Sequence, residues 1–131
     1  MSEVIERPVI HIFKDESVAK SSNALSDWVD TDGFADMTVA FELDDTGTVD
    51  ANITLYYSHK DAYTLNNEAT VDTEDYSTVD IVDAHTGKVY YRVTPDDVEE
   101  LKYPPTSVAV FIENDEATTA TVFNVWLEGR S

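Results

Sequence analysis

The stretch MTVAFELDDTGTVDANITLYYS, residues 37–58, contains two runs of alternating apolar and polar residues separated by the turn sequence DDTG. Val39, Phe41 and Leu43 take every second position of the first run, and the second run continues the alternation over residues 49–57. Successive side chains of a β-strand point to opposite faces, so this period of two predicts a pair of half-buried strands.

Similar alternation, rich in β-branched and aromatic residues, recurs along most of the chain. Short segments with Asp, Asn and Gly separate the runs and suit tight turns. We therefore predict an all-β fold, a single antiparallel β-sandwich of about eight strands over residues 1–131, either jelly-roll-like or immunoglobulin-like. The further predicted strands are residues 9–13, 25–29, 76–82, 89–93, 108–112 and 119–127.

Two local features complete this prediction. Residues 95–102 are the one segment with a helical pattern, because Pro95 suits a first helical turn and Pro104 would end the helix. The sequence VDIVDAHTGKVYYRV, residues 79–93, predicts a hairpin that turns around residues 85–87.

The charge of the chain is strongly unbalanced, with 27 Asp and Glu against 8 Lys and Arg and a net charge of −19. A folded protein of this mass exposes roughly 7,000 Å², which gives about one net negative charge per 350–400 Å². Such a surface repels itself at low ionic strength, whereas about 1 M salt shortens the Debye length to about 3 Å. The acidic residues are spread along the chain, so we interpret them as an adaptation to high salt; an ordinary acidic protein is the alternative.

Composition also excludes several classes of function. The chain has no cysteine, which rules out disulfides, thiolate zinc sites and cysteine nucleophiles. It has no basic patch, so we predict no binding to nucleic acid, and no apolar run or leader pattern that predicts a membrane partner or a signal peptide. No nucleophile or phosphate-loop motif occurs either, and we predict a protein that is not an enzyme and needs no cofactor.

Aspartates cluster in the turns around the first strand of the opening stretch. The segment DTDG, residues 30–33, resembles the start of a calcium loop, but the sixth residue after Gly33 is Val39 and not a glutamate. We therefore interpret these aspartates as solvated turn residues that bind a cation weakly at most. The weak candidates for cation binding are Asp30, Asp32, Asp44 and Asp45.

Tyrosines are frequent in two segments, residues 56–63 and residues 89–93. A set of exposed aromatic rings could form a platform for a sugar, with Tyr56, Tyr90 and Tyr91 as the binding residues. Tyrosines at alternate strand positions also pack against neighbouring strands, and we favour that interpretation.

Three segments occur in a recognisable order along the chain. They are SVAKSSNALSDWVDTDGFADMTVAFEL (residues 17–43), DTGTVDANITLYYSHKD (residues 45–61) and SVAVFIENDEATTATVFNVWLEGR (residues 107–130). In this order they resemble the small β-sandwich structural proteins of tailed viruses that infect halophilic archaea. The matching positions are Ser26, Val29, Asp30, Thr31, Gly33, Phe34, Asn114 and residues 121–130.

The resemblance implies a component of the virion, most directly a capsid decoration or turret protein, with a tail or baseplate subunit as an alternative. It implies partners among copies of the chain itself and the underlying capsid or tail proteins, and no catalytic residues. A carbohydrate- or cell-surface-binding module remains the other alternative. Without the resemblance, we would place the chain in the cytoplasm of a halophile.

The segment RPVIHIF, residues 7–13, predicts where a partner would bind. Pro8 favours an edge strand, because proline cannot donate a ladder hydrogen bond. Alternation would place His11 on one side of this strand and Ile10 on the other, so that both faces are apolar, and an apolar edge strand favours a partner. We predict that residues 1–14 contact a neighbouring copy or the shell protein. The interface candidates are Val9, Ile10, Ile12 and Phe13.

Overall fold

The computed structural model describes residues 9–45, 50–68, 71–84, 89–95, 97–102, 104–116 and 119–130. These residues contain nine β-strands in two antiparallel sheets, which confirms the predicted all-β sandwich. The strands are β1 (Val9–Val18), β2 (Ser22–Leu25), β3 (Val29–Asp30), β4 (Asp36–Asp45), β5 (Ala51–Ser58), β6 (Ser77–Ala84), β7 (Val89–Val93), β8 (Ser107–Asn114) and β9 (Thr121–Arg130). The helices are α1 (Ala62–Asn66) and α2 (Glu99–Lys102), and Thr73–Asp75 forms a 3-10 turn.

The strand order identifies the sandwich as a jelly roll. One sheet has the order β1-β9-β4-β7, and the other has the order β2-β8-β5-β6, with β3 also paired to β8. The first half of the chain therefore pairs with the second half in reverse order: β1 with β9, β2 and β3 with β8, β4 with β7, and β5 with β6. A long hairpin wrapped into two facing sheets has this pairing, and the jelly roll is its common form.

The core lies between the two sheets and is built by the predicted alternation. On β4, Val39, Phe41 and Leu43 have no exposed surface, while Glu42 between them is partly exposed. Each large apolar side chain removed from water in this way contributes about 1.5–3 kcal/mol before ordering costs. The fully buried inward residues of β5, β8 and β9 are Ala51, Ile53, Leu55, Val108, Val110, Ile112, Phe123, Val125 and Leu127.

The helix predicted near residues 95–102 is confirmed as α2. The Thr94 carbonyl accepts hydrogen bonds from the amides of Asp97 at 3.0 Å and Val98 at 3.3 Å, so a turn leads into the helix. Leu101 is fully buried and joins the core between the sheets. The helix thus packs against β4 and covers the core there, which explains why a helical segment interrupts the run of strands.

The hairpin predicted over residues 79–93 is wrong. β6 pairs with β5 in the five-stranded sheet, whereas β7 pairs with β4 in the other sheet. The two strands are adjacent in sequence, but the wrapped topology sends the connection between them from one sheet to the other. The predicted turn at residues 85–87 lies outside the described residues.

Strand β1 lies at an edge of the four-stranded sheet, as Pro8 predicts, but its side chains do not alternate as expected. Ile10 pairs with the inward-facing Leu127, and the register shifts between His11 and Phe13. This bulge turns Phe13 into the core, where it is 8% exposed, and Ile10 and Ile12 pack partly buried against the same core. Simple alternation, which would place Phe13 on the same side as His11, is therefore wrong at this bulge, and Ile10, Ile12 and Phe13 all pack against the core of the chain itself.

A second register shift in β1 lies between Phe13 and Glu16. Within it, Asp15 has a φ of 48°, a left-handed conformation that aspartate tolerates better than most residues. The Asp15 amide donates to Asn124 Oδ1 at 2.9 Å, and Asn124 Nδ2 donates to Asp15 Oδ1 at 3.2 Å. This pair of hydrogen bonds holds the irregular backbone against β9.

Candidate functional site

A second group of apolar side chains lies outside the sandwich, on the outer face of the five-stranded sheet. Trp28 is 6% exposed and Leu65 is 1% exposed, and they pack with Ala62 and Ala109. We call these four residues, with the partly buried rings of Tyr56 and Tyr76, the outer cluster. Helix α1 covers this part of the sheet, so the outer cluster joins β5, β8, the short helix and the connecting segments that carry Trp28 and Tyr76.

Hydrogen bonds from side chains to the backbone hold the outer cluster in place. Asn66 Oδ1 accepts from the Trp28 amide at 2.7 Å, and Asn66 Nδ2 donates to the Trp28 carbonyl at 2.9 Å. Asp30 Oδ1 accepts from the Ala62 amide, the first residue of α1, at 2.9 Å. Asp61 caps the same helix by accepting from the Thr64 amide at 2.7 Å, and this hydrogen bond lowers the pKa of Asp61.

The rings of the outer cluster continue into an aromatic row along the sheet. Tyr56 and Tyr76 stack with their centroids 5.0 Å apart and an interplanar angle of 9°, and Tyr56 also stacks on Phe111 at 5.9 Å. Trp28 meets Tyr76 in a tilted contact at 6.1 Å. Burial, together with the neighbouring Tyr76, raises the pKa of Tyr56, so its hydroxyl stays protonated at neutral pH.

A cleft of about 440 Å³ opens beside the outer cluster, at the end of the sandwich where β5 ends and β6 and β8 begin. Tyr76 belongs to both, and we call this opening the end cleft. Its size lies within the usual range of small-molecule sites. The residues that line it are Asp32, Tyr57, Ser58, His59, Glu74, Asp75, Tyr76, Ser77, Pro104, Pro105 and Thr106.

One wall of the end cleft is fixed by a network around Lys60. The Lys60 ammonium contacts Asp75 at 3.0 Å and Glu68 at 3.5 Å, and the hydrogen bond to Asp75 raises the pKa of Lys60. Ser58 Oγ donates to the Asp75 carbonyl at 2.5 Å, and Ser107 Oγ donates to the Lys60 carbonyl at 2.6 Å. The chain after β5 is thus tied both to the 3-10 turn and to the start of β8.

Three polar side chains of the end cleft are not used by this network. Within the described residues, the side chains of Asp32, His59 and Glu74 make no hydrogen bond or ion pair, and all three residues are exposed. Asp75 differs, because Lys60 neutralises its carboxylate. The end cleft therefore presents two free carboxylates and one free imidazole.

The four aspartates considered for cation binding do not come together. Asp30 and Asp32 precede β4, and Asp44 and Asp45 end it, so the two pairs are separated by a strand about 30 Å long. Asp30 is engaged by α1, as described above, and Asp32 lies at the end cleft. Among the residues that the structure describes, no group of three or more His, Asp or Glu side chains is placed to hold a metal ion.

Of the four interface candidates, Val9 alone is well exposed, at 58%. It lines a small groove of about 260 Å³ on the outer face of the four-stranded sheet, together with Ala40, Trp126 and Glu128. His11 stacks on Trp126 with centroids 5.0 Å apart. We call this surface the β1 groove. Phe13, Ile10 and Ile12 belong to the core, as shown above.

The tyrosines considered for sugar binding lie on different sheets. Tyr56 is on β5 in the five-stranded sheet, whereas Tyr90 and Tyr91 are on β7, opposite Glu42 and Phe41 of β4 in the other sheet. They therefore cannot form one platform. Tyr56 stacks instead on Tyr76. The alternation in the sequence does not predict that the segments of these two tyrosines are neighbours.

Several positions that carry the resemblance have structural roles in the first matching segment. The predicted strand over residues 25–29 is split, and Ser26 bridges the break: its amide donates to the Val110 carbonyl at 3.0 Å, and its Oγ accepts from the Val110 amide at 2.8 Å. Thr31 is buried and donates through Oγ1 to the Pro105 carbonyl at 2.7 Å. These contacts hold the segment between β2 and β4 against β8 and the loop that precedes it.

The later matching positions are structural as well. Asn114 is fully buried, and its Nδ2 donates to the carbonyls of Val18 at 3.0 Å and Thr119 at 3.0 Å, while its Oδ1 accepts from the Glu116 amide at 3.0 Å. At the other end of the sandwich, a Cβ added to Gly129 would overlap the ring of Phe34. The close packing of that ring explains the glycine near the end of β9.

Comparisons with known proteins give distant structural matches. No protein-family model matches the sequence, and no curated protein sequence matches it. A structure of deformed wing virus carrying the GFP gene matches with a TM-score of 0.38 and 11% identity, over 95% of this chain and 44% of that chain. A crystal structure with a xylogluco-oligosaccharide matches with a TM-score of 0.29 and 16% identity, over 95% of this chain and 31% of that chain.

A crystal structure of a protein's domains CD matches with a TM-score of 0.28 and 16% identity, over 95% of this chain and 54% of that chain. The chain thus spans from about a third to about half of the length of these three structures. None of these matches assigns a function at such TM-scores. No helix within the described residues has the length and apolar character needed to cross a membrane.

Proposed function

We propose that the chain is a non-enzymatic structural subunit of a virus particle from a high-salt environment, most directly a capsid decoration or turret protein. The observation that carries this proposal is the complete jelly-roll strand order, since jelly rolls form many viral capsid domains. Lectin domains and cupins share the fold, so the strand order alone supports a role in a virus particle only by analogy. Further support must come from the surface of the protein.

The surface that supports the proposal is the β1 groove. It combines an edge strand, which can pair with another chain, with the exposed Val9 and the stacked rings of His11 and Trp126. The ion pair between Arg92 and Glu128, at 2.6 Å, lies on the same sheet and flanks it. An apolar centre with a polar rim is the usual anatomy of a protein interface. The proposed partners are a neighbouring copy and the shell protein beneath it.

The net charge of −19 sets the conditions for such contacts. Two copies would repel each other at low ionic strength, whereas about 3 M salt screens charges beyond a few ångströms and lets the apolar contact dominate. The proposal therefore includes salt dependence. The thermal midpoint of the full chain should rise strongly between about 0.1 M and about 3 M NaCl, and a flat profile would remove the high-salt part of the proposal.

The experiment is sedimentation velocity and negative-stain microscopy of the full chain at about 3 M NaCl. We expect closed oligomers or lattices for the natural sequence, and their loss in Val9→Asp. The matched control is Leu25→Asp, because Leu25 is 50% exposed but belongs to β2 in the other sheet. A chain that stays monomeric at every salt and protein concentration would contradict the proposal, and so would equal assembly of the two variants.

A further inference from the structure

We propose that the end cleft binds a short neutral saccharide. This inference does not rest on a role in a virus particle, since the end cleft and the β1 groove lie on different parts of the jelly roll. It uses none of the contacts proposed for assembly and shares with that proposal only the inference of high salt, so binding at the end cleft and assembly through the β1 groove can fail separately.

The lining of the end cleft suits a ligand that has an apolar face and several polar groups. Tyr57, Tyr76, Pro104 and Pro105 supply apolar faces, and the other seven lining residues are polar or charged. A pocket for an apolar ligand would have the opposite balance. Sugar rings have a C–H face that packs on aromatic and proline rings and an edge of hydroxyl groups, which fits both kinds of wall.

The free polar groups match those hydroxyl groups. The carboxylates of Asp32 and Glu74 accept hydrogen bonds, and the imidazole of His59 can donate or accept. The three side chains have no other partner within the described residues, so a ligand would not have to displace an existing contact. A hydroxyl that donates to a carboxylate forms a charge-assisted hydrogen bond, one of the stronger contacts available to a neutral ligand.

The charges around the end cleft argue against ionic ligands. Two free carboxylates on a chain with a net charge of −19 repel phosphates and other anions. A cation would be attracted, but the high salt that we infer for this protein screens that attraction more than it weakens hydrogen bonds and ring packing. The carboxylate that could add most to a cation site, Asp75, is already paired with Lys60.

The end cleft is also built before a ligand arrives. Tyr76 is held by its stack on Tyr56, and Ser58 and Lys60 fasten the neighbouring wall to Asp75. A fixed site avoids the cost of ordering loops on binding, which matters for ligands that make few strong contacts.

The experiment is a titration of the isotope-labelled full chain at high NaCl, followed by amide chemical shifts. The probes are maltotriose, cellotriose and triacetylchitotriose, with inorganic phosphate and spermidine as ionic probes. We expect saturable shifts from at least one trisaccharide at the amides of His59, Ser77 and Thr106. We expect affinity to fall about tenfold or more in Glu74→Gln, which removes the charge of one acceptor, and in His59→Ala, which removes the imidazole.

Both variants change exposed side chains that have no partner in the part of the chain that the structure describes, so they should fold normally. The matched control is Asp44→Asn, an exposed carboxylate at the far end of β4, which should bind as the natural chain does. The proposal is overturned if no trisaccharide saturates below about 20 mM, if only spermidine or phosphate saturates, or if the shifts lie away from the end cleft. It is also overturned if both variants bind as tightly as the control.

Discussion

The core between the sheets and the outer cluster bury apolar side chains in different ways. In the core, residues such as Phe41 and Phe123 are fully buried because every second position of a strand faces the opposite sheet. In the outer cluster, Trp28 is buried because the side chain of Asn66 makes two hydrogen bonds to its backbone and α1 packs against its ring. Burial in the core follows from the alternation of residues along the strands, whereas burial in the outer cluster follows from the contacts of a few particular side chains.

This difference predicts how far the effect of a mutation spreads from each region. The core is continuous and shared by strands from the whole chain, so damage to it is felt everywhere. The outer cluster involves one short helix and a connecting segment, and it shapes the end cleft through Tyr76. We therefore expect changes in the core to unfold the chain, and changes in the outer cluster to open the end cleft while the jelly roll remains.

The largest effect should come from Phe41→Ala, which empties a fully buried position. We expect the free energy of unfolding to fall by about 3–5 kcal/mol, from lost transfer energy and the cavity left behind. The measurement is denaturant unfolding at high salt. Phe111→Ala, a partly buried ring on the outer face, is the control and should cost clearly less. Equal costs for the two rings would break the comparison.

The next effect should come from Asn114→Ala, at one of the buried polar positions of the sandwich. Its side chain hydrogen-bonds to backbone groups at the end of β1 and in the loop after β8, so its loss removes three hydrogen bonds at a buried or partly buried place. We expect a cost of about 3 kcal/mol in unfolding free energy. Asn124→Ala, which loses only exposed hydrogen bonds to Asp15, should cost well under half as much. A cost for Asn114→Ala no larger than that of this control would count against the role of Asn114.

A smaller and more local effect is expected for Asn66→Ala. The change removes both hydrogen bonds to the Trp28 backbone and should loosen α1 by about 1–2 kcal/mol. Limited proteolysis should then cut residues 60–76 faster, while the global unfolding midpoint changes little. The neighbouring Asn67→Ala, whose side chain donates only to the exposed Tyr63 carbonyl, is the control. If Asn66→Ala lowers the global midpoint as much as Phe41→Ala does, the outer cluster is not a separate region.

The smallest effect concerns the pH dependence of α1. The hydrogen bond from the Thr64 amide lowers the pKa of Asp61 below its ordinary value of 3.8. A lowered pKa in the folded state means that this cap is fully stabilising above the ordinary pKa and is lost as the pH falls through the folded pKa. The Thr64 amide shift should therefore titrate below the ordinary pKa, and the titration should vanish in Asp61→Asn. An unchanged titration in that variant would assign it to another group.

The sequence predicted the parts of the fold that follow from the alternation of apolar and polar residues. The alternation of Val39, Phe41 and Leu43 correctly predicted a buried strand face, and Pro8 correctly predicted an edge strand. The hairpin over residues 79–93 failed because alternation shows that a segment is a strand but not which strand it pairs with. Phe13 was misplaced because a bulge inserts a residue that no pattern in this segment announces.

The end cleft could not be predicted from the sequence, for a different reason. It is assembled from four separate segments, near Asp32, His59, Tyr76 and Pro105, which only the wrapped topology brings together. The helix that supports it, α1, has five residues, too few for a helical period to stand out. The one signal present was Asp61 as a capping residue ahead of Ala62 and Leu65, the two residues of α1 that favour a helix.

The central claim is that the outer cluster is a separate, less stable region on a rigid jelly roll. Native-state hydrogen exchange at high salt tests it most directly, because it measures the opening free energy of each amide. We predict that the amides of Phe41, Val110 and Val125 exchange only through global unfolding, while those of Trp28 and Leu65 exchange through a local opening of lower free energy. A single common free energy for both groups of amides would contradict the claim.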